Sequence, residues 1–516
     1  MASLACAALV AASLAVQGGQ VRWIHDPQFQ SERWLPQSVA LGDHGAAAMA
    51  GAAVDDATFN CYSAGSATPA FSTRRDTVLR HYVAIAEEAP LGAVLAVQPK
   101  SGSTRIEAVV EAYLDHGDGT PAWTVTLPSS LYWGGGGVAV DRAGDTIVAF
   151  WTAATRTSNT THIRAWRPDG KLISAGTTSD SSSFSSRVRL SADGTRALLS
   201  LGGAAVVWDV VNGVEEARFY QASIFDSMAL SADGQRVAVA TWLGGTEVFE
   251  VHERAASGAW NLLVRIDPAP ERPAAVALDA DGDRLAWQVF NNAGDRFQVG
   301  LHDVDADLPL WEVDHHYPGN TARCDPAGID IDDAGETIGS VNWGDDAETL
   351  PEVHLYDGAG NLLIAVDTTG SATDIDVAAD GSLAIAANKA THATTFGAGG
   401  QVTLIETRKQ EFHVLGRAGL DDPLDFTIDA AVPGELCFLP ASLGLVGTGD
   451  DALRVDFAQL YALFGPFVVP AGGLAFQEQI PNDPALAGLQ VHLQAIRLGI
   501  VPGLRFTNKV SVRVIG

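Results

Sequence analysis

One short pattern recurs along this chain and constrains its fold more than any other feature. Each copy is an apolar alternation, an acidic or small polar turn that usually contains glycine, and a second apolar run. Alternating apolar residues predict strands, and Asp-Gly predicts tight turns between them. The chain is therefore expected to repeat a small antiparallel sheet. The clearest six copies begin 40 to 53 residues apart, at Val138, Val188, Met228, Val276, Ile329 and Ile375.

Each repeat predicts four strands. After the second apolar run comes an outer hairpin, whose two strands are separated by a glycine turn. Residues 162–173 and 353–364 have the pattern of the same hairpin in two different repeats. Four strands at a spacing of about 40–50 residues are typical of β-propeller blades. The predicted fold class is all-β, with a β-propeller followed by a smaller domain.

The number of blades is predicted as seven or eight. Two weaker copies of the pattern, at Val39 and Val83, raise the count from six to eight. Seven also fits, because the early copies are degenerate and one can be an elaboration of its neighbour; eight is preferred. Residues 21–25 have the pattern of a closing strand that would pair with the last blade, so that no sheet edge stays open. The seam of the ring is expected near residues 21–25 and 401–407.

The repeats resemble those of WD40, YVTN and quinoprotein-type β-propellers. The segments that end in Trp123 and Trp311 are similar to the Gly-x-x-x-Trp closing turn of quinoprotein repeats. The resemblance covers residues 21–415. It implies the fold and says almost nothing about activity, because these families include scaffolds, binding proteins and enzymes.

The repeat stops after Leu415. Residues 416–423 have the composition of a linker, and residues 424–516 carry new strands punctuated by glycine and proline. This last segment resembles a C-terminal β-sandwich module of exported proteins from planctomycete-type bacteria. The resemblance implies a small β-sandwich with an attachment or sorting role.

The first residues of the chain favour an exported protein. Residues 1–15 are small and apolar and end in a small-x-small site, which predicts a signal peptide. The expected location is periplasmic, cell-surface or extracellular. No later apolar run approaches about 18 residues, so no further membrane segment is predicted. Acidic residues outnumber basic ones by 62 to 32, and a net charge of −30 disfavours nucleic acid as a partner.

Three cysteines remain beyond the signal segment: Cys61, Cys324 and Cys437. Their spacing matches no cysteine-based zinc site. A disulfide, for example between Cys61 and Cys324, is compatible with export, and buried free thiols are an equal alternative. The sequence leaves the pairing open.

One acidic segment is a candidate calcium site. Asp303, Asp305 and Asp307 alternate, and Asp314 follows at a distance that echoes an EF-hand loop. Leu308 stands where that loop needs glycine for its sharp turn, so a solvated hairpin turn is the stronger interpretation. No other cofactor is predicted.

Tryptophans give a second set of candidates. An aromatic face complements the apolar face of a sugar ring, and Trp242 and Trp343, each followed within two residues by glycine, are predicted to form a ligand surface. Other tryptophans recur at equivalent repeat positions and are expected to pack between blades: Trp123, Trp166, Trp208 and Trp311.

Two functions follow from these features. The first is an exported, non-enzymatic scaffold that binds a protein or glycan on one face and is attached through its C-terminal module. The alternative is a propeller hydrolase, lyase or quinoprotein-like enzyme with its site in the central channel, where loops from several blades converge. The alternative predicts carboxylates and histidines clustered at the channel mouth.

Overall fold

The computed structural model describes most of the repeat region and part of the C-terminal region. The chain divides into two compact units, Met1–Lys409 and Gln410–Gly516. The described residues are strands and their connections, so the all-β prediction is confirmed, and none of them forms a helix long and apolar enough to cross a membrane. The described residues are 20–25, 35–42, 47–53, 58–63, 65–74, 79–114, 119–131, 135–155, 158–180, 187–201, 203–220, 228–243, 246–291, 296–316, 326–344, 350–390, 399–407, 412–415, 423–428, 436–443, 460–468, 474–479, 483–486, 489–498 and 504–513.

The first unit is built from four-stranded antiparallel sheets that follow one another along the chain. The first described strand of this unit is β1 (Gln20–His25). The next two repeats form an eight-stranded sheet of two halves, joined by the single residue pair Ala53 and Arg80. The first half is β2 (Leu35–Gly42), β3 (Ala47–Ala53), β4 (Thr58–Ser63) and β5 (Phe71–Arg74), and the second is β6 (Arg80–Ile85), β7 (Leu91–Pro99), β8 (Ile106–Leu114) and β9 (Trp123–Thr126).

Separate four-stranded sheets follow, and each sheet or half-sheet is named by its first strand. The β10 sheet is β10 (Gly136–Val140), β11 (Ile147–Ala154), β12 (Asn159–Trp166) and β13 (Leu172–Asp180). The β14 sheet is β14 (Val188–Leu190), β15 (Arg196–Ser200), β16 (Ala204–Asp209) and β17 (Val214–Tyr220). The β18 sheet is β18 (Met228–Leu230), β19 (Arg236–Leu243), β20 (Thr246–Arg254) and β21 (Trp260–Ile266).

The last three sheets of this unit lead back to the start of the chain. The β22 sheet is β22 (Arg272–Leu278), β23 (Arg284–Phe290), β24 (Arg296–Asp303) and β25 (Leu308–His316). The β26 sheet is β26 (Pro326–Ile331), β27 (Thr337–Asn342), β28 (Val353–Asp357) and β29 (Leu362–Val366). The β30 sheet has β30 (Ser371–Val377), β31 (Leu383–Lys389) and β32 (Gly400–Glu406), and its fourth strand is β1.

The pairing of β1 with β32 closes the chain on itself. The two strands are antiparallel, with Val21 opposite Ile405, and Arg22 Nη1 lies 3.2 Å from Glu406 Oε1. The seam expected at residues 21–25 and 401–407 is therefore confirmed. β1, from the beginning of the repeat region, pairs with the free edge of β32, from its end. The β30 sheet therefore has four strands, and β32 is not left as an unpaired edge strand.

The first strands of the sheets form a closed cycle. Each contacts the first strand of the next sheet, in the order β2, β6, β10, β14, β18, β22, β26 and β30, and β30 contacts β2 again. A ring of four-stranded sheets with their first strands innermost is a β-propeller.

One apolar cluster fills each boundary between neighbouring sheets. Between the β10 and β14 sheets, for example, Phe150 and Ile163 pack with Leu199, Val206 and Trp208. Burying a side chain of this size stabilises the fold by about 1.5–3 kcal/mol. The stability of the ring is therefore distributed over its boundaries rather than concentrated in one core.

The recurring Asp-Gly turn also joins neighbouring sheets. In the β14 sheet, Asp193 Oδ1 accepts a hydrogen bond from Thr195 N at 2.9 Å, and Gly194 has a φ of 67°. A Cβ atom at Gly194 would lie 2.6 Å from Oγ1 of Thr146, in the preceding sheet. Glycine is required there both by the backbone conformation and by the close approach of the sheets.

Backbone hydrogen bonds connect these turns around the inner rim. Ala192 N donates to Ala232 O at 2.6 Å, Ala232 N donates to Ala280 O at 2.8 Å, and Asp333 N donates to Ala379 O at 3.0 Å. These hydrogen bonds link neighbouring turns at one end of the ring. This end, where each innermost strand runs into its turn, is called the turn face.

The second unit contains two antiparallel sheets. Pairing of β33 (Phe412–Leu415) with β34 (Pro423–Ile428) places residues 412–415 in this unit, so the division lies a few residues before the expected linker 416–423. Residues 416–422 are outside the described residues, and Pro423 begins β34. One sheet has the order β33 (Phe412–Leu415), β34 (Pro423–Ile428), β37 (Leu474–Gln479), and the other the order β36 (Leu460–Val468), β35 (Leu436–Ser442), β38 (Gln490–Leu498), β39 (Leu504–Arg513), with a single 3-10 turn at Pro484–Leu486.

Two of the cysteines are buried free thiols. Cys61 lies in β4, where burial raises the pKa of its thiol to about 12, and Cys437 lies in β35. Cys324 is outside the described residues, and so is the predicted signal segment 1–15.

Candidate functional site: the central channel

The centre of the ring holds a cavity of about 280 Å³. Its walls come from the innermost strands β2, β6, β10, β14, β26 and β30 and from the turns that follow them. Charged side chains of both signs line it, which makes it the strongest candidate site in the described part of the chain. They are Glu87, Arg142, Arg187, Arg189, Asp333, Asp374 and Asp376.

The register of the innermost strands explains this lining. Side chains alternate between the two faces of a strand, so the residue between two apolar neighbours takes the opposite face. Ala40, Ala84 and Ala139 have this position in three sheets and line the cavity. Charged residues replace alanine at the same position in three other sheets, namely Arg189, Asp330 and Asp376.

Sequence reasoning missed these charged residues although a signal was present. An aligned repeat shows Arg189 and Asp330 where sister copies have alanine. A charged residue on an innermost strand breaks the pattern of the repeat, and a broken pattern is where a functional or strained site is expected.

The first ion pair spans the channel. Arg187 Nη1 lies 2.8 Å from Asp374 Oδ1, and Asp374 Oδ2 also accepts a hydrogen bond from Val39 N at 2.9 Å. Arg187 precedes β14 and Asp374 lies in β30, with three sheets between them in either direction around the ring. The pair therefore joins opposite sides of the ring.

A second pair spans the channel at the turn face. Arg142 Nη2 lies 2.5 Å from both carboxylate oxygens of Asp333. Arg142 follows β10 and Asp333 follows β26, again with three sheets between them in either direction. Charge-assisted hydrogen bonds of this kind are about twice as strong as neutral ones.

A carboxyl pair lies beside these bridges. Val377 N donates to Asp330 Oδ2 and Leu41 N to Asp376 Oδ2, each at 2.7 Å, and the two carboxyl groups are hydrogen-bonded to each other. Burial, followed by repulsion from Asp330, raises the pKa of Asp376 well above its ordinary value, while Arg189 opposes the shift. Burial likewise raises the pKa of Asp330. Each carboxyl of this pair therefore keeps its proton to a higher pH than an ordinary aspartate does.

Glu87 is the remaining carboxyl in the channel. Burial raises its pKa well above the ordinary value, and Asp380 and Asp376 add to this shift, whereas Arg142 opposes it. No hydrogen bond to its carboxylate is found within the described ranges of the chain. Among these residues, Arg142 therefore acts on Glu87 through its charge, without a hydrogen bond to its carboxylate.

The four predicted calcium ligands have separate partners. Asp303 ends β24, Asp305 and Asp307 lie in the following turn, and Asp314 lies in β25. Among the described residues, no group of three or more His, Cys, Asp or Glu side chains is arranged to hold a metal ion. The partners are Ala306 N for Asp303 at 2.9 Å, Arg236 for Asp305 at 2.7 Å, His302 for Asp307 at 3.2 Å and Arg296 for Asp314 at 2.8 Å.

Of the two predicted ligand-surface tryptophans, Trp343 is not among the described residues that line the channel. Trp343 follows β27, and its ring is covered by the buried Lys389, whose Nζ lies 4.7 Å from the ring centroid. Trp242 lies in β19 opposite Glu247, and its side chain is outside the described residues.

Tryptophans expected between blades do pack there. Trp123 Nε1 donates to Pro168 O at 2.8 Å, and Trp311 Nε1 donates to Gly358 O at 3.1 Å. In both cases the acceptor is in the outer hairpin of the next sheet. The two tryptophans therefore link neighbouring sheets by hydrogen bonds.

Carboxylates cluster in the channel, as the enzyme hypothesis expects, but the cavity lining that the structure describes contains no histidine. His315 and His354 instead pack with Phe297 and Tyr356 where the β22 and β26 sheets meet. Burial lowers their pKa values to about 4 and about 3, so both are neutral at pH 7.

A buried carboxyl outside the channel gives a prediction for pH. Glu352 accepts a hydrogen bond from Thr368 N at 2.6 Å, and burial raises its pKa from 4.5 to about 7. The folded state therefore holds more protons than the unfolded state between these values, so the free energy of unfolding falls as pH rises through that window. Between these pH values, we expect the free energy of unfolding to fall by about 3 kcal/mol less in Glu352→Gln than in the wild type.

Urea unfolding at pH 5 and pH 8 measures this difference. Glu312→Gln is the control, because Glu312 is exposed on β25 and the substitution changes the charge equally. Equal pH dependence in the wild type and Glu352→Gln would show that the buried carboxyl does not titrate as described.

No protein-family model matches the sequence, and no curated protein matches it. Among solved structures, it is similar to the β-propeller domain of Myceliophteria thermophila Cps50 (Swd1), with 11% identity over 63% of this chain and 96% of that chain and a TM-score of 0.40. It is similar to Saccharomyces cerevisiae Sqt1, with 11% identity over 75% and 99% and a TM-score of 0.48. A eukaryotic initiation factor shows 12% identity over 56% of this chain and 66% of that chain, with a TM-score of 0.38. These similarities assign no family; the closed ring of sheets defines the fold as a β-propeller.

Proposed function

We propose that this chain is an exported, eight-bladed β-propeller scaffold that binds a protein partner on its turn face and is attached through a C-terminal β-sandwich. The observation that carries this proposal is the pairing of channel charges across the ring. Arg187 with Asp374 and Arg142 with Asp333 bind each other rather than converging on a common point.

This arrangement favours a scaffold over an enzyme. A catalytic acid, base or nucleophile needs access to a reacting atom, and these groups are already engaged by partners on the opposite wall. What the pairs can do is to fix the distance between opposite sides of the ring. A rigid ring is suited to holding a surface in shape for a partner.

The turn face offers such a surface. Successive turns expose one carboxylate each around the channel mouth, and the whole chain carries a net charge of −30. Electrostatic complementarity accelerates encounter with a partner of opposite charge and suppresses wrong partners. A protein with a basic patch fits this surface best. The exposed carboxylates belong to Asp145, Asp193, Asp233, Asp281 and Asp380.

A glycan partner has less support. The Trp343 ring faces the ammonium of Lys389, which occupies a face that a sugar would need. The protein partner is therefore the candidate that we retain.

The partner surface can be tested with two double variants of equal charge change. Asp233→Asn with Asp281→Asn alters the turn face, whereas Asp267→Asn with Asp367→Asn alters exposed residues that follow outermost strands. We expect cross-linking in the native envelope to join a partner to turn-face residues. We expect only the first double variant to weaken the affinity for that partner, by at least about tenfold, or about 1.4 kcal/mol. Cross-links spread evenly over the ring, or equal loss in both variants, would contradict the proposal.

The attachment role has its own test. Deleting residues 424–516 is expected to release the propeller from the envelope fraction while export continues, because residues 1–15 remain. Fractionation with an immunoblot measures the distribution. An unchanged distribution would argue against the attachment role, and an intracellular full-length chain would argue against export.

A further inference from the structure

We propose that the channel mouth is a binding site for one positively charged nitrogen group, an alkylammonium or a guanidinium, received by the carboxylate of Glu87. This goes beyond partner binding on the turn face, because the site is inside the channel and its ligand is defined by charge and size.

The charges of the cavity lining do not balance. Arg187 forms an ion pair with Asp374, and Nη2 of Arg142 donates hydrogen bonds to both carboxylate oxygens of Asp333. The charge of the third cation, Arg189, acts on Asp330 and Asp376 and opposes the rise in their pKa values. Among the described residues that line the cavity, each arginine therefore has an acidic counterpart, and the carboxylate of Glu87 is in excess.

The surroundings of Glu87 favour a cation at this place. Asp376, Asp380 and Asp333 all act on its carboxyl as like charges, against one opposing guanidinium from Arg142. A positive group that enters here is attracted by several carboxylates at once, and protein walls on the remaining sides limit screening by water. Burial is the main cause of the raised pKa of Glu87, and these like charges add to it.

The size of the cavity selects small ligands. Its volume of about 280 Å³ lies just below the range of about 300–1,000 Å³ that holds drug-sized molecules. The lining of the cavity includes small side chains, among them Ala84 and Ala379, which leave room for an unbranched chain. The space suits a side chain or a short amine and is too small for an oligosaccharide.

Titration calorimetry tests the site on the full chain. The probes are n-butylammonium, its neutral isostere n-butanol, calcium, and a short peptide with one lysine. We expect n-butylammonium to bind and n-butanol not to bind. Binding is also expected to release protons, seen as a dependence of the measured heat on buffer ionisation, because a bound cation lowers the pKa values of nearby carboxyls.

Two variants and a control assign the binding to this place. Glu87→Gln is expected to weaken n-butylammonium binding at least about tenfold, and the exposed Glu312→Gln to leave it unchanged. Ala84→Leu fills the cavity without changing charge and should also abolish binding, so the test remains decisive even if one variant folds poorly. Circular dichroism checks the fold of each variant.

The outcomes separate the sources of the ligand. Tighter binding of the lysine peptide than of the free amine assigns the site to a side chain of a partner, and equal binding assigns it to small amines. Absence of amine binding to the wild type, equal affinity in Glu87→Gln, or binding of calcium alone would overturn the site. None of these results decides whether a partner binds the exposed turn face, which is tested by the Asp233 and Asp281 variant.

Discussion

Trp23→Ala is expected to lower the free energy of unfolding by about 3–5 kcal/mol. Trp23 is only 9% exposed, and its ring centroid lies 5.1 Å from that of Tyr62. It belongs to the strand that closes the ring, and it packs in the cluster between the β30 and β2 sheets. The substitution leaves a cavity at the seam, where β1 completes the β30 sheet and packs against the β2 sheet. Urea unfolding followed by circular dichroism measures the change.

Ile24→Ala is the matched control, since it lies on the same strand and keeps the same backbone pairing. Its side chain is 44% exposed, so a loss of less than about 1 kcal/mol is expected. Similar losses for the two variants would mean that the strand is held by its backbone alone. That result would contradict the role given to the buried indole.

Asp374→Ala is expected to cost about 3–5 kcal/mol, because it leaves the Arg187 guanidinium in the channel without its carboxylate. It also removes the acceptor of Val39 N. Asp374→Asn keeps an oxygen for this amide while removing the charge, so an intermediate loss is expected. Urea unfolding at pH 7 measures both.

The comparison pair is Arg296 with Asp314, at the same distance of 2.8 Å but on the outside of the ring. Exposed ion pairs contribute about 0–1 kcal/mol, so Asp314→Ala should have a small effect. If Asp374→Ala were as mild as Asp314→Ala, the channel pair would behave as a surface pair.

Most of the ring could be predicted from the sequence because its signals are local. The Asp-Gly turn needs only neighbouring residues, as when Asp193 caps Thr195 N, and strand alternation sets the apolar clusters. The closing strand was predictable as well, since residues 21–25 have the pattern of the one strand that the last repeat lacks.

The channel bridges could not be predicted in the same way. Arg142 and Asp333 are 191 positions apart and meet only because the ring places their sheets opposite each other. Their meeting depends on the number of sheets in the ring, which the sequence left at seven or eight. The residue types, charged where sister repeats have alanine, were visible, but their partners were not.

The calcium prediction rested on a local motif, the spacing of carboxylates at one turn of the β22 sheet. The alternating carboxylates Asp303, Asp305 and Asp307 follow a spacing that suits calcium, but spacing does not fix where side chains point. In the folded chain Asp305 meets Arg236, which also lies 2.7 Å from Asp283, a residue of the next sheet. Asp305 therefore pairs with Arg236, a residue of another repeat, which the spacing of the carboxylates could not indicate.

A double-mutant cycle on Arg187 and Asp374 tests most directly the claim that the channel charges serve each other across the ring. Urea unfolding of Arg187→Ala, Asp374→Ala and the double variant gives the coupling free energy between the two side chains. We expect a coupling free energy of about 1.5 kcal/mol or more, because the pair is partly buried and bridges opposite sheets. Additive losses within about 0.5 kcal/mol would show that the two residues do not interact. The channel charges would then be available to a ligand or a substrate, contrary to the scaffold proposed here.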